Sequence, residues 1–268
     1  MKGRVKIIVV GLLVGQICFA SNNTSLVDAG TVAMGFVVSP VASIVNPGGV
    51  SLQDESNVAI HYENDYGIKE LSQVTVTAVW RNGILDAGVA VSNFGYDKYG
   101  ETRFAGQLSK RLFAGSSFGV RFNYFSYNMS ADEGTKSALS ADVGLLVSPV
   151  EKIQLGIVAE NLVGTSYKTQ RDDYSPPLTL RFGVKYQAAK ELKLVSEVEK
   201  NTEEPVVFKL GCEYLPLKEI PLRIGLIGRP YRPTFGIGYR VSRFVFDLAS
   251  VYHTVLGFHT LFSMQYKF

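Results

Sequence analysis

Cysteine is nearly absent from this chain: Cys18 and Cys212 are the only two among 268 residues. Cys18 falls in a removable leader, so the mature chain retains one thiol and no internal disulfide framework. Histidine is as scarce, with His61, His253 and His259 alone. No Ser-His-Asp arrangement can be assigned, and Gly236-Ile237-Gly238 is not followed by the helix a nucleotide loop needs. The expectation is a chain with no catalytic residue, no cofactor and no metal ligand set. Apolar runs are short too, and none reaches the about 20 residues of a transmembrane helix. Charge of one sign is lacking as well. The 27 basic and 24 acidic residues become 24 of each once the three basic residues of the leader are removed. No basic surplus remains to attract nucleic acid.

The leader is legible at residues 1–20. Lys2, Arg4 and Lys6 form a basic start, Ile7 to Val14 an apolar stretch, and Cys18-Phe19-Ala20 a small-x-small cleavage site before Ser21. Lipid attachment at Cys18 is the rival reading, disfavoured by the bulk of Ile17.

What is abundant is alternation with period two. From residue 57 to 268 apolar side chains occupy every second position over segments of about ten residues. Val58, Ile60 and Tyr62 begin the series; Val74, Val76 and Trp80 follow, and later Phe118, Val120, Phe122 and Tyr124. Phe208, Leu210, Cys212 and Tyr214 continue it, which makes Cys212 a small lipid-facing hydrophobe. Fourteen such segments predict an all-β, fourteen-stranded antiparallel transmembrane β-barrel over 57–268. Tight links such as Arg81-Asn82-Gly83 and Ala188-Ala189-Lys190 alternate with longer polar ones such as Val163 to Pro177. That rhythm predicts short periplasmic turns, longer outer loops and both termini in the periplasm of a Gram-negative-type cell, with the barrel in the outer membrane.

The final strand has Phe258, Phe262, Met264, Tyr266 and Phe268 on one face; His259, Ser263, Gln265 and Lys267 lie on the other, with Leu261 as an apolar intruder. This ending resembles the C-terminal insertion signal of bacterial outer-membrane proteins. Its elements here are Phe262, Met264, Tyr266 and Phe268, and it implies the barrel-assembly machinery as a partner during insertion, besides membrane lipid.

The opposite parity is polar or small. Arg103, Arg121, Asp142, Glu160, Arg181, Glu197, Lys209, Glu213, Arg223 and Asp247 point inward with both signs present, which predicts a paired, structural lumen. Inward glycines, among them Gly119, Gly144, Gly156, Gly183, Gly211, Gly225 and Gly236, make room for an internal object. Residues 21–56 do not alternate and carry Asn46-Pro47-Gly48-Gly49, so they are expected to fold into the lumen as a plug. His61 and His259 are inward on the first and last strands, neighbours once a barrel closes, but their depths do not match.

The stretches Ala33-Met34-Gly35-Phe36, then V-A-S-I-V-N-P-G-G-V-S (41–51) and N-V-A-I-H-Y (57–62), resemble the N-terminal region of FadL-like barrels and the related PorV/PorQ family. The segments at 142–149, 153–162, 182–186 and 210–214 are similar to strands of PorV-like proteins. Gly48 departs from the usual alanine, and the long outer loops of larger members are lacking. The resemblance implies a plugged fourteen-stranded barrel. It further implies an accessory or scaffold of type IX protein secretion, with a secretion translocon or exported proteins as partners, or alternatively a FadL-like transporter of hydrophobic small molecules. The richest surface for a partner is the loop with Tyr167, Arg171, Asp172, Asp173 and Tyr174, since Tyr and Arg favour interfaces. Substituting Phe268→Ala is expected to lower folded barrel in outer-membrane fractions several-fold, read as loss of the heat-modifiable band on cold gels.

Overall fold

A strand presents its side chains alternately to two faces, and here the two faces meet different media. The computed structural model describes residues 26–113, 115–129, 134–168 and 173–268. The expected leader lies outside the described residues, as do Arg171 and Asp172 of the expected partner loop.

Fourteen antiparallel strands close into a barrel. They are β1 (Asn57–Asp65), β2 (Ser72–Trp80), β3 (Asp86–Tyr96), β4 (Tyr99–Phe113), β5 (Ser116–Met129), β6 (Gly134–Val150) and β7 (Ile153–Gly164). The second half comprises β10 (Thr179–Ala189), β11 (Leu192–Asn201), β12 (Val207–Leu217), β13 (Ile220–Ile227), β14 (Arg232–Val241), β15 (Phe244–His253) and β16 (Gly257–Lys267). Between the halves, β8 (Tyr167–Lys168) and β9 (Asp173–Tyr174) pair only with each other, as a small hairpin separate from the barrel sheet. Closure is made by β1, which pairs with β2 on one edge and β16 on the other.

The outward set is apolar and uncovered: Phe122 is 65 % exposed and Phe208 62 %. The inward set holds the charges, with Arg121 1 % and Asp142 0 % exposed. Water outside would favour the reverse, so the outer face is built for lipid. At the end carrying the C terminus, rings gather into part of an aromatic girdle: Phe244 lies 5.0 Å from Tyr266 and Trp80 6.3 Å from Phe268. Phe262, Met264 and Phe268 face outward, as the alternation predicts.

The segment before β1 lies inside. A short helix, α1 (Ala29–Ala33), begins at Asp28, whose carboxylate accepts from the Thr31 amide and hydroxyl at 2.9 and 2.7 Å. A 3₁₀ turn spans Pro47–Leu52, capped by Asn46, whose Oδ1 accepts from the Gly48 amide at 2.9 Å. Between them the chain follows the inner wall strand by strand. Ala33 lies against Gly236 of β14, Met34 and Gly35 against Gly225 of β13, and Met34 against Gly211 of β12. Ser39 and Pro40 meet Gly183 of β10 and Gly156 of β7; Asn46 and Pro47 meet Gly144 of β6, and Pro47 and Gly48 meet Gly119 of β5. Ser51 reaches Ser109 of β4 at 2.8 Å. The inward glycines are therefore a track on which one backbone lies directly on another. Gly35 adds a turn at φ +75°, where a side chain would also strike the Leu210 carbonyl. Leu261, out of place by pattern, belongs to the cluster formed by Ala29, Val32 and Ala33.

A Cβ at Gly156 would overlap the Ser39 carbonyl, whereas at Gly106 it meets nothing within 4 Å. Gly156→Val is therefore expected to displace the inner segment and expose 26–56 to limited proteolysis, with Gly106→Val as resistant as the parent.

Candidate functional site

A backbone lying in an occluded lumen must find partners for its amides and carbonyls. The wall supplies them from inward polar positions. Glu197 of β11 accepts from the amides of Val38 and Ser39 at 2.9 and 2.7 Å, and from the Ser39 hydroxyl at 2.7 Å. Arg121 donates to the carbonyls of Ile44 and Val45 at 3.1 and 2.9 Å. Ser117 donates to the Gly48 carbonyl at 2.6 Å, and Thr234 to that of Ala33 at 2.8 Å. Asn46 donates to the Ser39 carbonyl at 2.6 Å, tying two turns of the segment together. The motif Asn46-Pro47-Gly48-Gly49 thus caps one turn, braces another and meets the β5–β6 wall.

The same charges pair along the wall. Asp142 contacts Arg121 at 2.6 Å and Arg103 at 3.7 Å. Glu160 links Arg121 at 3.4 Å to Arg181 at 3.0 Å. Glu199 joins Arg181 at 3.0 Å and Lys209 at 2.6 Å, while Lys209 also reaches Glu197 at 3.3 Å. A second group centres on Glu213, with Lys193 at 2.8 Å and Arg223 at 2.6 Å. These charges are paired, as alternation of both signs implied. What sequence reasoning missed is that Glu197, Arg121 and Lys209 also hold plug backbone, a role visible only once the plug is threaded.

The inner segment is flanked by two chambers of about 430 and 420 Å³. The first lies toward the end away from the C terminus. Its floor is the ion-pair ladder, and in its wall Leu26, Phe36, Leu71, Phe94, Val207 and Val251 stand beside the charged Glu63, Asp65, Glu204, Arg229 and Arg232. The second, on the C-terminal side, is lined by Asp28, Lys193, Glu213, Arg223, Arg240 and Asp247 among others.

Beside the first chamber the wall is irregular. On the β6–β7 ladder, Val143 faces Ala159 and Ala141 faces Val163, so Asp142 alone opposes Glu160, Asn161 and Leu162. Asn161 takes φ 56°, its amide donates to Asp142 Oδ1 at 2.7 Å, and its side chain donates to the Pro177 carbonyl at 3.0 Å. The β7–β10 ladder stops at Glu160–Thr179. Residues 161–164 of β7 therefore continue past the end of that ladder, a bulge of the kind that redirects a strand at a functional rim. Nothing in the alternation announced it.

Of the expected partner loop, Tyr167 and Lys168 pair with Tyr174 and Asp173 in the β8–β9 hairpin. The two inward histidines are at different depths, as expected: His61 faces Ser263, four positions along β16 from His259. His253 accepts from the Val255 and Leu256 amides, both at 3.2 Å, and shapes a turn.

No family model matches the sequence, and no curated protein matches it. Solved structures do share its fold. The Ralstonia pickettii toluene transporter TbuX superposes with a TM-score of 0.68 at 12% identity, over 90% of this chain and 98% of that one. The Pseudomonas putida toluene transporter TodX gives 0.64 at 12%, over 89% and 96%. A Pseudomonas aeruginosa FadL homologue gives 0.61 at 11%, over 90% and 98%. The chain thus has the fold of FadL-type transport barrels.

Arg121 is buried and bonded to Asp142, Glu160 and two plug carbonyls. Arg121→Ala leaves those groups without that cation and is expected to cost about 3–5 kcal/mol. Urea unfolding of the purified barrel in detergent measures the loss.

Proposed function

We propose that this protein is a non-catalytic outer-membrane conduit for small hydrophobic molecules, with both termini in the periplasm. The observation that carries this reading is the 430 Å³ chamber, where apolar side chains such as Leu71, Phe94 and Val251 share the lining with charged ones, set beside the point where the β7–β10 ladder ends. That volume is in the range of small-molecule sites. A solute entering from the far end meets a mixed wall that includes Leu71, Phe94 and Val251, and then a charged, plugged floor. The charged floor opposes onward passage of an apolar solute, because it offers no apolar surface in exchange for the chamber wall. The interrupted seam at Asn161–Gly164 is the neighbouring way out, toward lipid. Likeness of fold to two toluene transporters supports the same assignment and favours it over the secretion-accessory role.

The test is uptake of radiolabelled toluene by proteoliposomes carrying the full barrel. Flux several-fold above empty vesicles is expected, reduced by Leu71→Glu, which puts a charge in the chamber wall, while heat-modifiable mobility stays unchanged. Absence of flux, together with co-purification of a translocon subunit or of exported proteins sharing a C-terminal domain, would reverse the assignment in favour of secretion.

A further inference from the structure

One residue of the plug holds a backbone shape that its own side chain opposes. Gly35 and Phe36 are both left-handed, at φ 75° and 56°. Glycine enters that region freely, whereas a bulky residue there is an outlier. The other non-glycine cases among the described residues are Tyr66, Asn161, Arg229 and Ser242, which lie in loops, a turn or the β7 bulge. Phe36 is the one that belongs to the plug.

The wall enforces this shape from both sides. Before Phe36, the Gly35 amide donates to Thr234 Oγ1 at 3.1 Å, and Gly35 lies against Gly225. At Phe36 itself, Lys209 Nζ donates to the carbonyl at 3.3 Å. After it, Glu197 holds the amides of Val38 and Ser39. The backbone is thus attached to β11–β14, while the ring reaches β16, two places beyond β14 in the closed sheet. There it meets the His259 imidazole edge-on, at 6.3 Å between centroids and 82° between planes. His259 is itself fixed, with Nε2 2.8 Å from Glu63 and Nδ1 2.9 Å from Asp65. Phe36 and His259 both line the first chamber.

Glycine at position 36 would follow the same path with less strain, as it does at position 35. What phenylalanine adds is the ring, and strain that the surroundings enforce is a mark of functional positions. We propose that Phe36 is the specificity-determining residue of the first chamber. Its ring is the surface against which a planar aromatic solute packs, and it limits the size of solute the chamber takes. This assignment rests on the transport reading above. Aromatic rings attract one another in offset or edge-to-face contact. His259 takes one side of the half-buried Phe36 ring, and the chamber has the rest. The neighbouring charges do not compete for a neutral ring, because Glu160, Arg181, Glu199 and Lys209 are engaged with one another.

The experiment compares uptake of radiolabelled toluene and radiolabelled naphthalene, one ring against two fused, by proteoliposomes carrying the full barrel. The parent is expected to favour toluene; a preference for naphthalene would contradict a size limit set by the ring. Phe36→Gly removes the ring at a φ that suits glycine, so its cold-gel band is expected to persist and to convert at the parent's temperature or above. In that variant the ratio of naphthalene to toluene flux is expected to rise about tenfold, the scale on which apolar pocket contacts discriminate. Phe36→Tyr keeps the ring and is expected to keep the parent ratio. Phe36→Leu fills the space against the plug cluster without a ring, shifts the ratio in the same direction, and carries the test if the glycine variant lacks a folded band. A ratio that moves less than about threefold in the folded glycine and leucine variants, or that Phe36→Tyr moves as far, would overturn the assignment and leave transport standing. A parent that takes up neither solute removes the transport reading, and this inference with it.

Discussion

One contact governs this structure: a stretch of irregular backbone pressed against a barrel wall that has no side chains where the two meet. Seven inward glycines, from Gly119 on β5 to Gly236 on β14, face residues 33 to 48. Without them the inner segment stands off by a side chain's width. Its carbonyls then fall out of reach of Ser117, Thr234 and Arg121, and the lumen must hold either water or unsatisfied peptide groups. Glycine weakens a strand in isolation. Here that weakness is offset by the plug, which replaces the missing side chains with a continuous second layer, including the cluster of Ala29, Val32, Ala33 and Leu261.

The charges of the lumen follow from the same contact. An ion pair out of water is weak evidence of stability, since desolvation competes with attraction. The ladder from Arg103 to Lys209 is better understood through what it holds. Glu197 takes two amides and a hydroxyl of the plug, and Arg121 takes two of its carbonyls. Alternating signs let each charge meet a neighbour and a peptide group together. The result is a floor that is electrically balanced and mechanically attached to the wall. It divides the interior into two chambers, each lined by charged and apolar side chains together.

The irregularity at β7 completes the picture. Asp142 is at once the partner of Arg121, the acceptor for the Asn161 amide and the single residue opposite the bulge. The wall is thus shaped within the ladder of charges, at the floor of the first chamber.

The sequence by itself determined the barrel, its strand number and the facing of nearly every side chain. Lipid and lumen select opposite chemistries at alternate positions, and that contrast survives in the linear order. Inward parity exposed the glycine set and the paired charges for the same reason. Asn46-Pro47-Gly48-Gly49 announced a turn because proline and glycine restrict or free the backbone locally. Tertiary structure alone decided the rest. That the plug meets one strand after another depends on matching depths across a closed sheet, which no local signal encodes. The bulge at Asn161 arises from two residues in excess on one strand of a pair, and parity within β7 cannot reveal its partner's count. His259 was legible as inward, but not as the neighbour of Asp65 and Glu63 rather than of His61. That pairing is set by the register of closure, where the first strand meets the last across nearly the whole length of the chain.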